Sequence, residues 1–259
     1  MRLGVISDIH GNDVALRAVL DDAVGYHVDR WWALGDLVLF GPRPAEVVER
    51  LASLPGIAMV RGNTDRYVLT GEQPAPHATA ADAATSLDLV QRYGAMAAGI
   101  GWTRGVLDQA GTIDCLDGLP ERLHLRFPGG TILLGVHASP NADDGPGIDP
   151  HITDAELRGL LAGCGADVVV GGHTHYRADR LADGIRALNP GSTGMPRPCG
   201  EAGWLLLEDG AHGELRVEQH SVPFDVGTVV SDLHRRRHPN TEFVEAVLTG
   251  RREQIRKGS

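Results

Sequence analysis

The stretch MRLGVISDIHGNDVALRAVLDDAV, residues 1–24, places a strand, a polar loop and a helix in immediate succession. RLGVIS is a short apolar run, Asn12 suits the N-cap, and helical spacing runs from Asp13 to about Val24. RWWAL, Arg30–Leu34, then returns as a second strand, which makes a βαβ unit. The alternation goes on: Pro44 suits the first position of a helix reaching about Leu54, and GIAMV, Gly56–Val60, follows as a strand. Three parallel strands are predicted.

Further along, the segment from about Thr70 to Gly111 becomes Ala-rich, opens with EQPAPH, and spaces Leu87, Leu89, Val90 and Met96 as a helix would. It reads as a helical cap inserted into a domain spanning residues 1–222. RLHLRF and TILLGVH flank Pro128, Gly129 and Gly130 and predict a hairpin. Thr153 to Glu156 has the form of a capping box opening a helix to about Leu161, and DVVVGG, Asp167–Gly172, is a short buried strand. RALNPGS, GWLLLE and GELRVEQHSV follow at short spacing, and residues 223–259 read as a helical, arginine-rich tail. Within it, HRRRH (His234–His238) reads as a solvated helix face without a function.

Bulk properties narrow the class. With 259 residues, 42% hydrophobic and 22% charged, the chain can bury a sizeable core, and one soluble domain is expected. No apolar run approaches the roughly 18 residues of a membrane span, and MRLGVIS is too short for a signal peptide, so no membrane partner and a cytoplasmic location are expected. A formal charge of −10 disfavours a stable nucleic acid complex. Lys257 is the only lysine among 24 basic residues, so the positive charge is nearly all guanidinium. Cys115, Cys164 and Cys199 form no CxxC pair and read as reduced thiols.

Five polar clusters lie just past the ends of predicted strands: SDIHGN, GDLVLFG, GNTD, GVHAS and GGHTH. Open α/β sheets place their sites there. Asp8 and His10 are two apart, so both can turn to one cation, and His173 and His175 repeat that spacing. Each cluster alone is ordinary turn or core chemistry; their conjunction points to metal. Seven candidate ligands exceed the coordination of one ion but fit two ions sharing a carboxylate. Ser139 and Cys199 lack a partnering base, so no protein nucleophile is expected.

The motifs D-x-H, G-D, G-N-x-D, a lone His after a strand, and G-H-x-H resemble those of the calcineurin-like metallophosphoesterases, in order from Asp8 to His175. The longer contexts GDLVLFGPRPAEVVE and NPGSTGMPR resemble a bacterial branch that contains phosphodiesterases. The resemblance implies an α/β fold, a four-layer αββα sandwich of two mixed β-sheets. It also implies two divalent metal ions (Mn, Fe, Ni, Co or Zn), one on Asp8, His10, Asp36 and His175, the other on Asp36, Asn63, His137 and His173. Asp36 would bridge, and a hydroxide held between the metals would attack a small phosphate-ester substrate.

In GNTD, Asn63 supplies a neutral oxygen and Asp65 is expected to orient its neighbours by hydrogen bonding. Thr64 stands where many relatives carry His, and its hydroxyl cannot protonate a leaving group near neutral pH. Diesters or anhydrides with acidic leaving groups are therefore expected over alkyl monoesters. His77 and His151 would replace the missing proton donor only if they folded over the metals, most histidines outside the motifs reading as bystanders, and Arg43, Arg61, Arg66, Arg177 and Arg197 lie near the loops as surface residues. The rival functions are a phosphomonoesterase or nucleotide polyphosphate hydrolase, and a non-catalytic interaction module on the same fold.

Overall fold

The computed structural model describes residues 1–74, 86–210 and 214–251. Alternation of period two divides the apolar residues of the central strands between two faces. On β1 (Arg2–Ile6), Leu3 and Val5 face one way and Ile6 the other; on β2 (Arg30–Leu34), Trp32 and Leu34 oppose Trp31 and Ala33. With β3 (Ala58–Val60) and the later β9 (Glu201–Asp209) and β10 (Leu215–Pro223) they form a mixed sheet ordered β10-β9-β1-β2-β3. Strands β1, β2 and β3 run parallel, as expected.

The second sheet is ordered β4-β5-β6-β8-β7, from β4 (Arg122–Arg126), β5 (Ile132–Val136), β6 (Val168–Val170), β7 (Arg177–Ala182) and β8 (Ile185–Pro190). Strands β4 and β5 form the predicted antiparallel hairpin, while β5, β6 and β8 are parallel. Leu3, Val5, Trp32, Leu34, Leu133 and Val170 share the core between the two sheets. The opposite face of the second sheet packs Leu134, Val136 and Val169 against Leu157 and Leu161 of a helix. The opposite face of the first sheet receives the remaining helices. Helix, sheet, sheet, helix is the expected four-layer order, in an α/β fold with two five-stranded mixed sheets.

The described helices are α1 (Asp13–Ala23), α2 (Pro44–Ala52), α3 (Asn63–Thr70), α4 (Leu87–Ala110), α5 (Asp114–Asp117), α6 (Asp154–Leu161), α7 (Val226–Arg235) and α8 (Thr241–Leu248). Asn12 caps α1 by accepting from the Ala15 N–H, Pro44 opens α2, and Thr153 and Glu156 form the capping box of α6.

Three features depart from the sequence reading. Strand β7 is an edge strand with Leu181 70% exposed, so its alternation is too weakly apolar to stand out; Asp183-Gly184, both at positive φ, closes its hairpin with β8. In α4 the buried positions are Gly99, Ile100, Thr103 and Leu107, whereas Leu87 and Val90 are exposed. In HRRRH, Arg236 pairs with Glu46 and His238 is buried against Trp102, so only part of that run is solvated. The tail helices contribute Val229, Leu233, Val244 and Leu248 to the main core.

Candidate metal centre

Because β1, β2 and β3 are parallel in one sheet and β5 and β6 in the other, their C-terminal ends meet along one edge of the sandwich. Asp8 and His10 follow β1, Asp36 follows β2, Asn63 opens α3 after β3, His137 follows β5, and His173 and His175 follow β6. Asp8, His10, Asp36, His173 and His175 all have φ between 51° and 69°. Non-glycine residues seldom adopt this region, at a cost of about 1 kcal/mol or more each. Cross-loop hydrogen bonds hold it: Asp8 N–H donates to Gly35 O at 3.0 Å, His10 N–H to Asp36 O at 2.9 Å, and Gly172 N–H to His137 O at 2.7 Å. The two sheets are tied together at Asp8, whose carboxylate accepts from the His173 N–H and whose carbonyl accepts from Ser192 Oγ at 2.7 Å and Gly194 N–H at 3.0 Å.

All seven candidate ligands are brought together. Each histidine has one ring nitrogen on a backbone carbonyl: His10 Nδ1 on Leu39 O at 3.0 Å, His137 Nδ1 on Leu34 O at 2.7 Å, His173 Nε2 on Gly145 O at 2.9 Å, and His175 Nδ1 on Met195 O at 2.9 Å. A carbonyl only accepts, so these nitrogens carry the proton and the other nitrogen of each neutral ring turns a bare lone pair inward. His10 Nε2 and His175 Nε2 then stand 3.1 Å apart. Two bare nitrogens at that distance repel unless a positive centre, a proton or a metal ion, lies between them.

The remaining spacings fit the same demand. His175 Nε2 is 3.4 Å from Asp8 Oδ1, His137 Nε2 is 3.0 Å from Asn63 Oδ1 and 3.3 Å from Asp36 Oδ1, and His173 Nδ1 is 3.2 Å from Asn63 Oδ1. Donors lying about 2.1 Å from a common cation fall about 3.0–3.6 Å from one another. Ligand atoms of Asp8, His10 and His175 lie within 4.8 Å of one another, as do those of Asp8, Asp36 and His137.

The charges explain why a cation would be welcome. Burial, and then the charge of Asp8, push the Asp36 carboxyl well above the usual carboxylate range. Burial would also raise Asp8, but the charge and hydrogen bond of a protonated His175, which Asp8 in turn pushes up, outweigh it and hold Asp8 below that range. Burial and the neighbouring His175 bring His10 down to about 3, so this ring stays neutral and free to coordinate. A divalent ion held here would take the place of the proton that the raised Asp36 carboxyl favours.

Within GNTD the roles separate. Asp65 is fully buried and accepts from Leu37 N–H at 2.8 Å and Gly62 N–H at 3.0 Å, so it fastens the Asp36 loop to the Asn63 loop and does not line the pocket. Thr64 N–H donates to Asp36 Oδ1 at 2.9 Å, and the Thr64 hydroxyl is buried beside that carboxylate. A Cβ at Gly62 would lie 2.2 Å from Asp36 N and Oδ1, so only glycine admits this approach.

The ligands open into a cavity of about 140 Å³. One wall is His10, Asp36, Asn63, Thr64, His173 and His175; the other is Phe40, Met195, Phe243 and Val247, with Arg197 at the edge. Phe243 and Val247 come from α8, and no residue of α4 reaches this cavity. Sequence reading passes over the apolar wall because nothing in the period of α8 distinguishes a pocket face from a core face. His151 is exposed and paired with Asp149 away from the cavity, and His77 lies outside the described residues. The three cysteines are free, and among the described residues no helix is long and apolar enough to cross a membrane.

Comparison with known proteins agrees with this geometry. Residues 1–209 match the calcineurin-like phosphoesterase superfamily domain. An uncharacterized protein of Methanocaldococcus jannaschii, MJ0912, is 28% identical over 253 residues, covering 92% of this chain and 93% of that protein. The crystal structure of a metallophosphoesterase from Sphaerobacter thermophilus is 27% identical, with a TM-score of 0.71 over 96% of this chain and 98% of its own. The hypothetical protein PH1004 from Pyrococcus horikoshii, 22% identical, shares the fold with a TM-score of 0.77 over 95% of this chain and 97% of its own. The motifs at the strand ends, the two mixed sheets and the matched segment together make this chain a member of the calcineurin-like phosphoesterase superfamily.

Proposed function

We propose that this protein is a binuclear metal-dependent phosphoesterase that hydrolyses phosphodiester or phosphoanhydride bonds of a small substrate. One observation carries the reading: the two oxygens of Asp36 face different histidines, Oδ1 at 3.3 Å from His137 Nε2 and Oδ2 at 3.7 Å from His10 Nε2. A carboxylate so placed has one oxygen for each of two ions. Asp8, His10 and His175 would hold the first, and Asn63, His137 and His173 the second. Two divalent cations supply an activated water and neutralise the phosphoryl oxygens that gain charge during in-line displacement.

The protein's own groups do the rest. Carbonyl-bound histidines keep their donor atoms aimed inward, Asp65 fixes the bridging loop, and the Phe40–Phe243 wall excludes water from one side of the substrate. Among the described residues lining the cavity, every imidazole belongs to the candidate ligand set. Among the described residues no separate acid stands ready for the leaving oxygen, which favours leaving groups that depart as weak bases. The test compares bis-p-nitrophenyl phosphate with p-nitrophenyl phosphate under added Mn, Co, Ni, Zn or Mg, together with the metal content of the purified chain. Faster diester turnover and about two metal ions per chain are expected. A chain that binds metal at one ion per copy at saturation, or that prefers the monoester, would overturn the proposal.

A further inference from the structure

The arginines near the strand ends differ in how they are occupied. Arg43 is bound to the buried carboxylate of Asp232, Arg61 to Glu121, and Arg66 to both Asp143 and Glu72. Arg177 and Arg197 have no carboxylate partner among the described residues; Arg197 lies over the Tyr176 ring, 5.5 Å from its centroid. These two line one hollow of about 50 Å³, together with Ser192 and His175. Arg197 and His175 also line the metal cavity, so the hollow and the cavity adjoin.

The hollow is shaped around Arg177. A Cβ on Gly191 would lie 3.0 Å from Arg177 Cγ, and one on Gly203 would lie 3.5 Å from its Nε. Gly191, just past β8, and Gly203 on β9, where an added Cβ would first meet the Pro190 carbonyl at 2.3 Å, flank the half-buried arginine stem. A half-buried guanidinium without a hydrogen-bonded protein acceptor keeps its donors available to an anionic ligand. Glu201 also borders the hollow; it is exposed and forms no ion pair with either arginine, although its charge acts on Arg177.

We infer that Arg177 and Arg197 form an anion subsite beside His175 that receives a second, non-reacting phosphate, so that the substrate is a diphosphate-bridged molecule. The inference rests on the phosphoesterase reading for the reacting phosphate, and selects the anhydride over the simple diester. A planar guanidinium meets two phosphate oxygens at once, and a pair of them holds a terminal phosphate in a fixed orientation relative to the neighbouring bond. Phosphate so anchored places the adjacent phosphorus over the ligand cluster through the shared His175 and Arg197 edge.

The decisive experiment needs no turnover. Metal-free protein is treated with phenylglyoxal with and without inorganic pyrophosphate, and modified arginines are mapped by peptide mass spectrometry. Pyrophosphate is expected to slow modification of Arg177 and Arg197 several-fold and leave Arg92 and Arg126, which are remote from the hollow, unchanged. Equal protection of all arginines, or of none, overturns the subsite. In the metal-loaded enzyme, kcat/KM for a dinucleoside diphosphate is then compared with that for bis-p-nitrophenyl phosphate. Arg177→Ala is expected to lower the ratio of the two by on the order of tenfold or more, Arg177→Lys to lower it less, and Glu201→Gln to raise it. An unchanged ratio sinks the subsite while leaving the phosphoesterase reading intact. Failure of the wild type on both substrates sinks that reading, and the modification experiment still decides the subsite.

Discussion

At the strand ends, five non-glycine ligand candidates sit in the left-handed backbone region, yet the polar atoms around them are almost all bonded. Where α4 meets α7 and α8 the backbone is regular helix, yet Thr103 Oγ1, His238 Nε2 and Asn240 Oδ1 are buried without hydrogen-bond partners among the described residues. The first region accepts conformational strain to aim donor atoms; the second has relaxed backbone and imperfect polar matching. Backbone strain held by cross-loop hydrogen bonds, with the Thr64 hydroxyl left over beside Asp36, marks a place shaped by chemistry, whereas several orphaned atoms between well-formed helices mark packing alone. Substitutions in the first region should therefore change activity more than stability, and those in the second the reverse.

The sharpest break of that contrast is Asp36→Asn. It should lower kcat on bis-p-nitrophenyl phosphate by about 10³-fold, equivalent to ~4 kcal/mol of barrier, while the urea midpoint of the metal-free protein stays level or rises. Relief of the buried Asp8–Asp36 repulsion is the reason. A large loss of stability with activity retained would erase the distinction between the regions.

The second region is tested by pH. Burial takes His238 down to about 4 in the folded protein, against an ordinary value of 6.5. The unfolded chain then binds the extra proton in the window between those values, so stability is full above pH 6.5 and falls as pH drops toward 4. The loss amounts to about 3 kcal/mol. His238→Phe, which keeps a ring against Trp102, should flatten this part of the profile in urea unfolding at pH 4.5 and 7.

Gly62→Ala asks whether the close approach to Asp36 matters. The added methyl meets backbone as well as carboxylate, so a cost of about 1–3 kcal/mol is expected, accompanied by a lower metal content per folded chain. Metal content equal to wild type would show that the Asp36 loop moves freely. The smallest effect is Thr64→His, which should raise p-nitrophenyl phosphate turnover roughly tenfold by supplying an acid. No gain with native metal content would place the limiting step elsewhere.

The strand-end residues were readable because parallel strands and short loops leave few places for a polar residue to go. Asp8, Asp36, His137 and His173 follow apolar runs directly, and the fold gathers such ends on one edge. Strand β7 was not, since its apolar residues are alanines and an exposed leucine; the Asp183-Gly184 turn is the signal that finds its hairpin with β8. The five arginines look alike in sequence. What separates Arg177 and Arg197 from Arg43, Arg61 and Arg66 is the location of carboxylates up to 189 residues away, such as Asp232 on Arg43.

Phe243 and Val247 border the cavity from a helix beyond residue 209, where the superfamily match stops. Part of the wall that admits a substrate is thus written outside the stretch that carries the candidate ligands. A changed side chain on that helix can widen or narrow the doorway without disturbing one donor atom, leaving the same hydrolytic engine to serve a different clientele.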